Sequence, residues 1–548
     1  MDKNFNSYIE DCIKNNWDLP ALSDYHGEEN YYKDIAKHIA RLHILFEKCG
    51  INRGDKISLA GRNSSNWAIS FLATITYGAV AVPILHEFKP DNMHNIINHS
   101  ESKLLFVGDV VWEGLSTDEL KNVNAIIQIN DFKFLHAKKS ISELNNSINK
   151  IFGEKYKNGV TLNDIKYYKD KSEELAMINY TSGTTGFSKG VMLPFRSLTA
   201  NLEFARIALP QLQGGGVVSM LPMAHMYGLI FEIVFTLVSG CHIQFLTRVP
   251  TPKIILESYA IVKPRLIISV PLVVEKIFKR KIKPMLEKPS IRFLMKLPII
   301  KQSIQKKILK QVIHSFGDNV IVVVIGGAAF NTEAETFFNK IGFQYTVGYG
   351  MTECGPLVAY DDWTTTHIYS CGKPITPIQL KIDNPNPETG IGEIIVKGDN
   401  VFIGYYKNDE ATKAVFDSEG WFHTGDLGIL DADGYLYIKG RSKNMILGPS
   451  GQNIYPEEIE DHLNNIPYVN EAIVIDNDGK LVALIYPDYE LAYNENLTEQ
   501  DLEKILEDEK DELNKQLPNY SQISRIKLYP EEFEKTPKKS IKRFLYEK

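Results

Sequence analysis

Between two apolar runs the chain carries Tyr180-Thr-Ser-Gly-Thr-Thr-Gly-Phe-Ser-Lys-Gly190. The flanking runs, at 175–179 and 191–193, predict two strands with this stretch as the loop between them. Its glycines permit positive φ and a close approach of backbone to ligand, and its hydroxyl groups and one lysine add donors and a cation. Such a loop favours an anion, above all a polyphosphate. A flexible linker is the alternative, which Lys189 beside a strand disfavours.

The loop is not a Walker A motif, because Lys189 follows Ser188 rather than a glycine and precedes Gly190 rather than Ser or Thr. Its candidate phosphate-binding residues are Thr181, Ser182, Gly183, Thr184, Thr185, Gly186 and Lys189.

Bulk properties narrow the class of protein. A chain of 548 residues predicts two or more domains, and a net charge of −7 disfavours nucleic acid as a partner. Five scattered cysteines without metal-ligand spacing suit a reducing cytoplasm, and the N-terminus lacks a signal-peptide pattern. The uncharged run Trp67–Leu85 has about the length of a membrane span, but its polar, Gly and Pro residues favour a buried helix followed by a buried strand.

Helical and strand patterns alternate along the N-terminal part of the chain. Helices are predicted at 30–50, 67–76, 92–99 and 197–208, and strands at 55–60, 79–84, 103–107, 216–221, 242–245, 266–270, 320–325 and 343–347. This alternation predicts an α/β fold with a doubly wound sheet, in which ligands bind at the carboxyl ends of strands. The polar segment 110–170 is predicted to be surface decoration.

Residues 276–310 hold twelve Lys and Arg against the single Glu287, interleaved with apolar residues. A docking face for a membrane surface or a polyanionic substrate and a merely solvated helical face are both open interpretations. From about residue 370 short strands with turns predict a β-rich subdomain, and the last hundred or so residues predict a small α+β unit.

Four further motifs follow the loop in a fixed order. They are Gly348-Tyr-Gly-Met-Thr-Glu353, Thr424-Gly-Asp-Leu-Gly428, Gly440-Arg-Ser-Lys443 and Tyr455-Pro-Glu-Glu-Ile-Glu460. Together with the loop they resemble the adenylate-forming superfamily, which includes acyl-CoA synthetases, luciferases and the adenylation domains of peptide synthetases. The resemblance spans essentially the whole chain. It implies an N-terminal adenylation domain at 1–441, with large mixed sheets and the β-rich subdomain at about 370–441, and a small mobile C-terminal lid domain at 442–548.

The resemblance also implies roles for single residues. The loop would hold the β- and γ-phosphates of ATP, with Lys189 and Thr184 as catalytic groups, and Glu353 with Thr184 would bind Mg²⁺. The α-phosphate would contact Thr352. The remaining nucleotide contacts would come from Gly327, Gly348, Tyr349 and Gly350 around the adenine, and from Asp426 and Arg441 at the ribose.

The implied C-terminal roles concern the second half-reaction. Lys443 would be the hinge, and Gly448, Ser450 and Gly451 would line the tunnel for CoA. The family ends in a segment whose lysine contacts the α-phosphate and the acid, but the matching position here is Ser540. We expect the neighbouring Lys539 to take that catalytic role.

The acid is predicted from the segment after the strand at 216–221. Adenylation domains for amino acids place an Asp there, whereas this segment offers aliphatic and aromatic residues and no Asp, which suits an alkyl chain. His225 resembles the gate residue near the carboxylate, with a satisfied core histidine as the alternative. The predicted acyl pocket comprises Met226, Tyr227, Ile230, Pro271, Leu272 and Leu357.

The chain is predicted to be a cytoplasmic ligase that activates a medium- or long-chain fatty acid and depends on ATP, Mg²⁺ and CoA. Contact with the inner membrane face and a homodimer are left open. Two alternatives are a ligase that loads acyl carrier protein and a non-catalytic acyl- or nucleotide-binding homologue, the latter because of Ser540.

Overall fold

The computed structural model describes residues 3–138, 141, 144–181, 188–210, 212–289, 298–365, 367–448, 452–536 and 541–547. Its helices are α1 (Phe5–Asn15), α2 (Tyr32–Lys48), α3 (Ser65–Tyr77), α4 (Pro90–His99), α5 (Asp109–Trp112), α6 (Leu144–Lys155), α7 (Phe195–Ala208), α8 (Phe235–Val238), α9 (Pro252–Val262), α10 (Pro271–Ile277), α11 (Lys283–Glu287), α12 (Pro298–Ser315), α13 (Thr332–Ile341), α14 (Asp409–Lys413), α15 (Pro456–Asn464), α16 (Tyr489–Asn494) and α17 (Glu499–Asn514). Two π-helical segments, Gly228–Val234 and Phe278–Ile282, lead into α8 and α11.

The largest sheet has eight strands and contains both strands that flank the loop. In spatial order they are β19 (Gly404–Tyr405), β9 (Lys189–Pro194), β8 (Leu175–Thr181), β4 (Val80–Ile84), β3 (Lys56–Ala60), β5 (Leu104–Val107), β6 (Ala125–Gln128) and β7 (Phe134–Ala137). The strands from β8 to β6 are parallel, and β9, β19 and β7 are antiparallel to their neighbours. Buried apolar side chains on the central strands form the main core.

Two further sheets complete the large N-terminal part. One has the order β10 (Gly216–Ser219), β11 (His242–Phe245), β1 (Pro20–Asp24) and β2 (Glu29–Tyr31). The other has the order β12 (Leu266–Ser269), β13 (Val322–Gly326), β14 (Tyr345–Gly350), β15 (Leu357–Tyr360) and β16 (Lys373–Pro374). Since β12, β13 and β14 are parallel, their carboxyl ends meet at one edge.

Smaller sheets follow towards the C-terminus. An antiparallel sheet has the order β17 (Gln379–Asp383), β18 (Gly392–Lys397), β20 (Phe422–Leu430) and β21 (Leu436–Arg441). After the hairpin of β22 (Ile446–Leu447) and β23 (Asn453–Ile454), the last sheet has β24 (Val469–Asn477), β25 (Lys480–Pro487) and β26 (Ile523–Leu528), covered by α15 and α17. The predicted mixed α/β fold with a small α+β unit at the C-terminus is confirmed.

The run Trp67–Leu85 forms the buried helix α3 and the buried strand β4, as predicted. Gly78 ends α3 with φ at 86°, a left-handed conformation that suits glycine. None of the helices within the described ranges is long and apolar enough to span a membrane.

The prediction that 110–170 is surface decoration is wrong in part. Ala125–Gln128 and Phe134–Ala137 extend the eight-stranded sheet as β6 and β7, and Ile126 and Ile127 are buried. These strands are too short for their pattern to stand out in a polar segment, and pairing with β5 gives them their order.

Two strands within the predicted 370–441 subdomain pair outside its sheet. Lys373–Pro374 joins β15, and Gly404–Tyr405 joins β9 beside the loop. The chain of the small β-sheet is therefore joined to both large sheets. The boundaries at 370 and 441 stay predictions.

The C-terminal unit contacts the N-terminal part through the end of α15. The Thr332 hydroxyl donates to an Asp461 carboxylate oxygen at 2.8 Å, and the Lys279 ammonium donates to the Asn464 carbonyl at 2.7 Å. Beside them the Asn331 amide donates to the Asn465 side chain at 2.5 Å. These polar contacts hold α15 against the starts of α13 and the π-helical segment after α10.

Candidate active site

The loop is held at its base by two antiparallel strands. Thr181, the last residue of β8, pairs directly with Lys189, the first residue of β9. Gly190 packs so closely that a Cβ would lie 2.9 Å from the side chain of Ile178. The predicted phosphate contacts Ser182, Gly183, Thr184, Thr185 and Gly186 lie outside the described residues.

The carboxyl ends of β13 and β14 provide an open backbone surface. Gly327 follows β13 with φ at 90°, which a residue with a side chain adopts only under strain. At Gly350 a Cβ would lie 2.2 Å from the Pro356 carbonyl oxygen, so no larger residue fits. Between these glycines Tyr349 is half-buried at the end of β14. The predicted adenine contacts therefore lie on two neighbouring strand ends.

Asp426 and Arg441 are cross-strand partners on β20 and β21. The Arg441 Nε lies 3.0 Å from Oδ1 of Asp426, and the Tyr349 hydroxyl donates to Oδ2 at 2.7 Å. The Asp426 side chain is 7% exposed, whereas the Arg441 side chain is 64% exposed. Burial raises the pKa of Asp426, against the opposing effects of Arg441 and Tyr349. A buried acceptor with an exposed cation beside it suits the two hydroxyls of a ribose.

Glu353 and Lys189 contact the same tyrosine. The Tyr405 hydroxyl donates to Oε1 of Glu353 at 3.1 Å, and the Lys189 ammonium lies 4.7 Å from the centroid of the Tyr405 ring. Glu353 lies in a 3₁₀ turn, Thr352–Cys354, directly after β14. The charge of Glu353 also contributes to raising the pKa of Asp426, after the larger effect of burial. The loop lysine and the turn carboxylate therefore share one tyrosine, and Tyr349, which precedes that turn on β14, connects it to the Asp426 carboxylate.

This donor set fits a magnesium ion that arrives with a nucleotide. Mg²⁺ is usually bound in such sites by one or two protein oxygens together with substrate phosphates, and the half-buried Glu353 carboxylate offers a hard oxygen. Within the described ranges no group of three or more His, Cys, Asp or Glu could hold a metal alone. The other predicted ligand, Thr184, lies outside those ranges. Thr352 is buried in the same turn.

The segment after β10 is held by an internal carboxyl group. Glu232 is fully buried in the π-helical segment and accepts hydrogen bonds from the Ser219 hydroxyl at 3.0 Å and from the Leu221 N–H at 3.1 Å. Burial raises the pKa of Glu232 to about 8, and its donors oppose that rise. In the same segment the Nδ1 of the half-buried His225 accepts from the Tyr227 N–H at 3.3 Å.

The predicted acyl-pocket residues occupy different environments. Met226, Tyr227, Ile230, Pro271 and Leu357 are buried, whereas Leu272 is 50% exposed. The Tyr227 hydroxyl donates towards the carbonyls of Val324 at 3.1 Å and Ser269 at 3.3 Å, so this ring supports the strand ends below the nucleotide residues.

The structure describes some of the C-terminal residues that were predicted to have functional roles. Lys443 is exposed in the 3₁₀ turn Ser442–Asn444 after β21, and the Gly448 N–H donates to the Gln452 carbonyl at 2.8 Å. Ser450, Gly451, Lys539 and Ser540 lie outside the described residues.

Sequence reasoning missed Tyr405 and Glu232. Glu232 had a signal, because it is the single charge in the apolar run 226–238. Tyr405 had none, since its contacts with Glu353 and Lys189 exist only after β19 pairs with β9.

Two known protein families match this chain. The family described as AMP-binding enzyme matches residues 9–406, and the AMP-binding enzyme C-terminal domain matches 443–548. A long-chain-fatty-acid–CoA ligase of Rattus norvegicus, ACSBG2, is 26% identical over 85% of this chain and 74% of its own. FadD15, a long-chain-fatty-acid–CoA ligase of Mycobacterium bovis, is 26% identical over 78% of this chain and 72% of its own.

Solved structures show the same fold. The anthranilate CoA ligase AuaEII in complex with anthranoyl-AMP has a TM-score of 0.78 at 20% identity, covering 99% of this chain and 96% of its own. ATP-bound MatB from Rhodopseudomonas palustris has a TM-score of 0.74 at 21% identity, covering 99% of this chain and 98% of its own.

Fold and family matches together define an adenylate-forming enzyme, an acid–thiol ligase. The chain belongs to the AMP-binding enzyme family, with the family's C-terminal domain following its main domain.

Proposed function

We propose that this enzyme activates a medium- or long-chain fatty acid with ATP and transfers the acyl group to CoA. In the first step an acid carboxylate attacks the α-phosphorus, the bond to the β-phosphate oxygen breaks, and pyrophosphate leaves with acyl-AMP formed. In the second step the CoA thiol attacks the acyl carbon, and AMP leaves as the thioester forms.

The observation that carries this proposal is the array of Lys189, Tyr405 and Glu353, which Tyr349 connects to the buried carboxylate of Asp426. Joining two anions at phosphorus needs charge neutralisation and positioning above all. At the phosphate end of a nucleotide this reaction requires a cation and a hard carboxylate. At the other end it requires a group that accepts hydrogen bonds from the ribose hydroxyls.

Each end of the nucleotide has its own residues. Asp426 would accept the ribose hydroxyls, Arg441 would contact the ribose–phosphate edge, and Tyr349 would cover the adenine. Thr352 would contact the α-phosphate. Lys189 would offset the charge that develops on the leaving pyrophosphate.

Glu353 and Thr184 would hold magnesium, which when bound would offset the negative charge of the phosphates. Glu353 is suitably placed because Tyr405 orients one of its oxygens.

A fatty acid is supported by the named relatives and by the segment after β10. The two relatives named above are long-chain-fatty-acid–CoA ligases, at 26% identity. Along that segment Met226 and Ile230 are fully buried and uncharged, which suits an alkyl chain better than an amino acid.

The basic helix α12 supports a membrane partner. Lys306, Lys307 and Lys310 are exposed on the face opposite the buried Ile308 and Val312, and the sequence of α12 contains no Asp or Glu. We propose that this face contacts an anionic phospholipid surface, from which a fatty acid is available. Changing the three lysines to Glu should abolish co-sedimentation with vesicles containing phosphatidylserine without lowering activity on a soluble acid; unchanged co-sedimentation would refute the contact.

Pyrophosphate release from purified enzyme tests the function. We would offer saturated fatty acids of graded chain length, with anthranilate and benzoate as aromatic comparisons, in the presence of Mg²⁺-ATP. Release with an intermediate or long alkyl chain, followed by thioester formation with CoA, is the expected result. Release with the aromatic acids alone would refute the fatty-acid proposal. An arm with holo acyl carrier protein in place of CoA decides the acceptor.

A further inference from the structure

We propose that Tyr405 is a positioning residue that holds the loop lysine and the metal-site carboxylate in place and apart. This inference rests on the proposed function of the site. Its hydroxyl donates to Glu353 and its ring face contacts the ammonium of Lys189. One side chain therefore sets the positions of an anion and a cation from distant parts of the sequence.

Tyr405 is itself rigidly held. It is 6% exposed, its N–H donates to the Thr412 hydroxyl at 2.9 Å, and Phe402 packs edge-on against its ring with centroids 5.0 Å apart. Its strand β19 pairs with β9, so that Tyr405 lies opposite Val191, two residues beyond Lys189. A side chain fixed by this many contacts is suited to orient charged neighbours.

Separation matters because Lys189 and Glu353 carry opposite charges. A direct ion pair would use the lysine that is proposed to bind phosphate and the carboxylate that is proposed to bind Mg²⁺. Tyr405 gives each charge a different partner: a hydrogen bond for the carboxylate and a ring face for the ammonium. Both partners leave further coordination directions of each group open to a ligand.

Two variants separate the functions of the ring and the hydroxyl. Tyr405→Phe keeps the ring under Lys189 and removes the donor to Glu353. Tyr405→Leu removes both and frees the two charges to approach each other. The neighbouring Tyr406 provides matched controls, because its hydroxyl donates to the exposed Glu101 at 3.0 Å, away from these groups.

The measurement is nucleotide binding by calorimetry, without any acid, so that no turnover occurs. Three probes are titrated into each protein: AMP, ATP with EDTA, and ATP with Mg²⁺. We expect Tyr405→Phe to weaken Mg²⁺-ATP binding by roughly tenfold, and to change ATP binding in EDTA much less, because the lost hydrogen bond orients the metal-site carboxylate. Tyr405→Leu should weaken both forms of ATP. AMP binding should stay within about twofold of the unmodified enzyme, since AMP uses the Asp426 end.

The outcomes are distinguishable. If the unmodified enzyme binds neither AMP nor ATP, the proposed function itself fails. If it binds both, and Tyr405→Phe matches Tyr406→Phe in Mg²⁺-ATP binding, the role of Tyr405 is refuted. If Tyr405→Phe loses AMP and Mg²⁺-ATP binding equally, the tyrosine supports the fold in general and the positioning role is also refuted.

Discussion

The hydroxyl of Tyr349 donates to the Asp426 carboxylate at 2.7 Å, although the two residues lie on different sheets, on β14 and β20. Arg441 approaches the other oxygen of the same carboxylate from β21. The carboxylate thus joins the strand ends of the five-stranded sheet to the small antiparallel sheet.

Asp426→Asn should weaken AMP binding by roughly ten- to a hundredfold, because the neutral amide loses charge-assisted hydrogen bonds. Calorimetry with AMP measures the change. Asp431→Asn, at the exposed turn between the same two strands, is the control and should bind AMP normally. Equal affinity in both variants would contradict the ribose assignment.

Lys189→Met should reduce pyrophosphate release by about a hundred- to a thousandfold, the scale for removal of one group that stabilises developing charge. AMP affinity should not change, because the lysine belongs to the other end of the nucleotide. Lys413→Met on the exposed helix α14 is the matched control. A fall in AMP affinity equal to the fall in rate would show that Lys189 acts on folding or on general binding.

The stability of the enzyme should depend on pH through Glu232. Burial raises the pKa of its carboxyl group from 4.5 to about 8, so between these values the unfolded chain is ionised while the folded protein retains the proton. The contribution of Glu232 to stability is therefore full below about pH 4.5 and decreases as the pH rises towards 8.

Glu232→Gln removes this titration. The free energy of unfolding of the unmodified enzyme, relative to that of the variant, should decrease as the pH rises. The decrease is at most about 1.4 kcal/mol per pH unit. Melting temperatures of both proteins at several pH values between about 5 and 8 measure this change in stability. A constant difference would contradict the raised pKa.

Thr332→Val should loosen the contact between the C-terminal unit and the N-terminal part. The loss of one hydrogen bond to Asp461 corresponds to roughly a two- to tenfold larger undocked population. Hydrogen–deuterium exchange of peptides covering the end of α15 should accelerate by that factor. Thr336→Val, one turn further along α13, is the control, and equal acceleration in both would argue against a specific contact.

Ser540 stands at the position where the family has a catalytic lysine, and two variants test whether Lys539 takes over that role. If Lys539 contacts the α-phosphate, Lys539→Ala should strongly reduce pyrophosphate release, while Ser540→Lys should change it little. Thioester formation from supplied acyl-AMP should survive in both variants. No loss in the first variant with a large gain in the second would show that position 540 is the catalytic one.

Features that depend on the local order of residues along the chain could be predicted from the sequence. The fixed succession of glycine turns indicated the nucleotide residues. Hydrophobic patterns placed α2, α3 and β4 and indicated a small α+β unit at the C-terminus. The structure brings Tyr349, Glu353 and Asp426 into one site, although the roles assigned to them stay predictions.

Features that depend on pairing between distant segments could not be predicted from the sequence. Strands β6 and β7 gain their order from the edge of β5, and Tyr405 reaches Glu353 only because β19 crosses back to β9. A pattern along the chain carries no information on which edge a two-residue strand will join. Glu232 was recognisable as an isolated charge, but its partners at the end of β10 were not.

The pairing of Gly404–Tyr405 with β9 has a consequence for dissecting the enzyme. In the intact chain β19 is the outermost strand beside β9, so a fragment ending before residue 404 would leave the backbone of Val191 and Met192 as an open sheet edge. Open, apolar edges recruit other chains and promote aggregation. A soluble N-terminal fragment should therefore extend past Tyr405, even though the small β-sheet begins earlier.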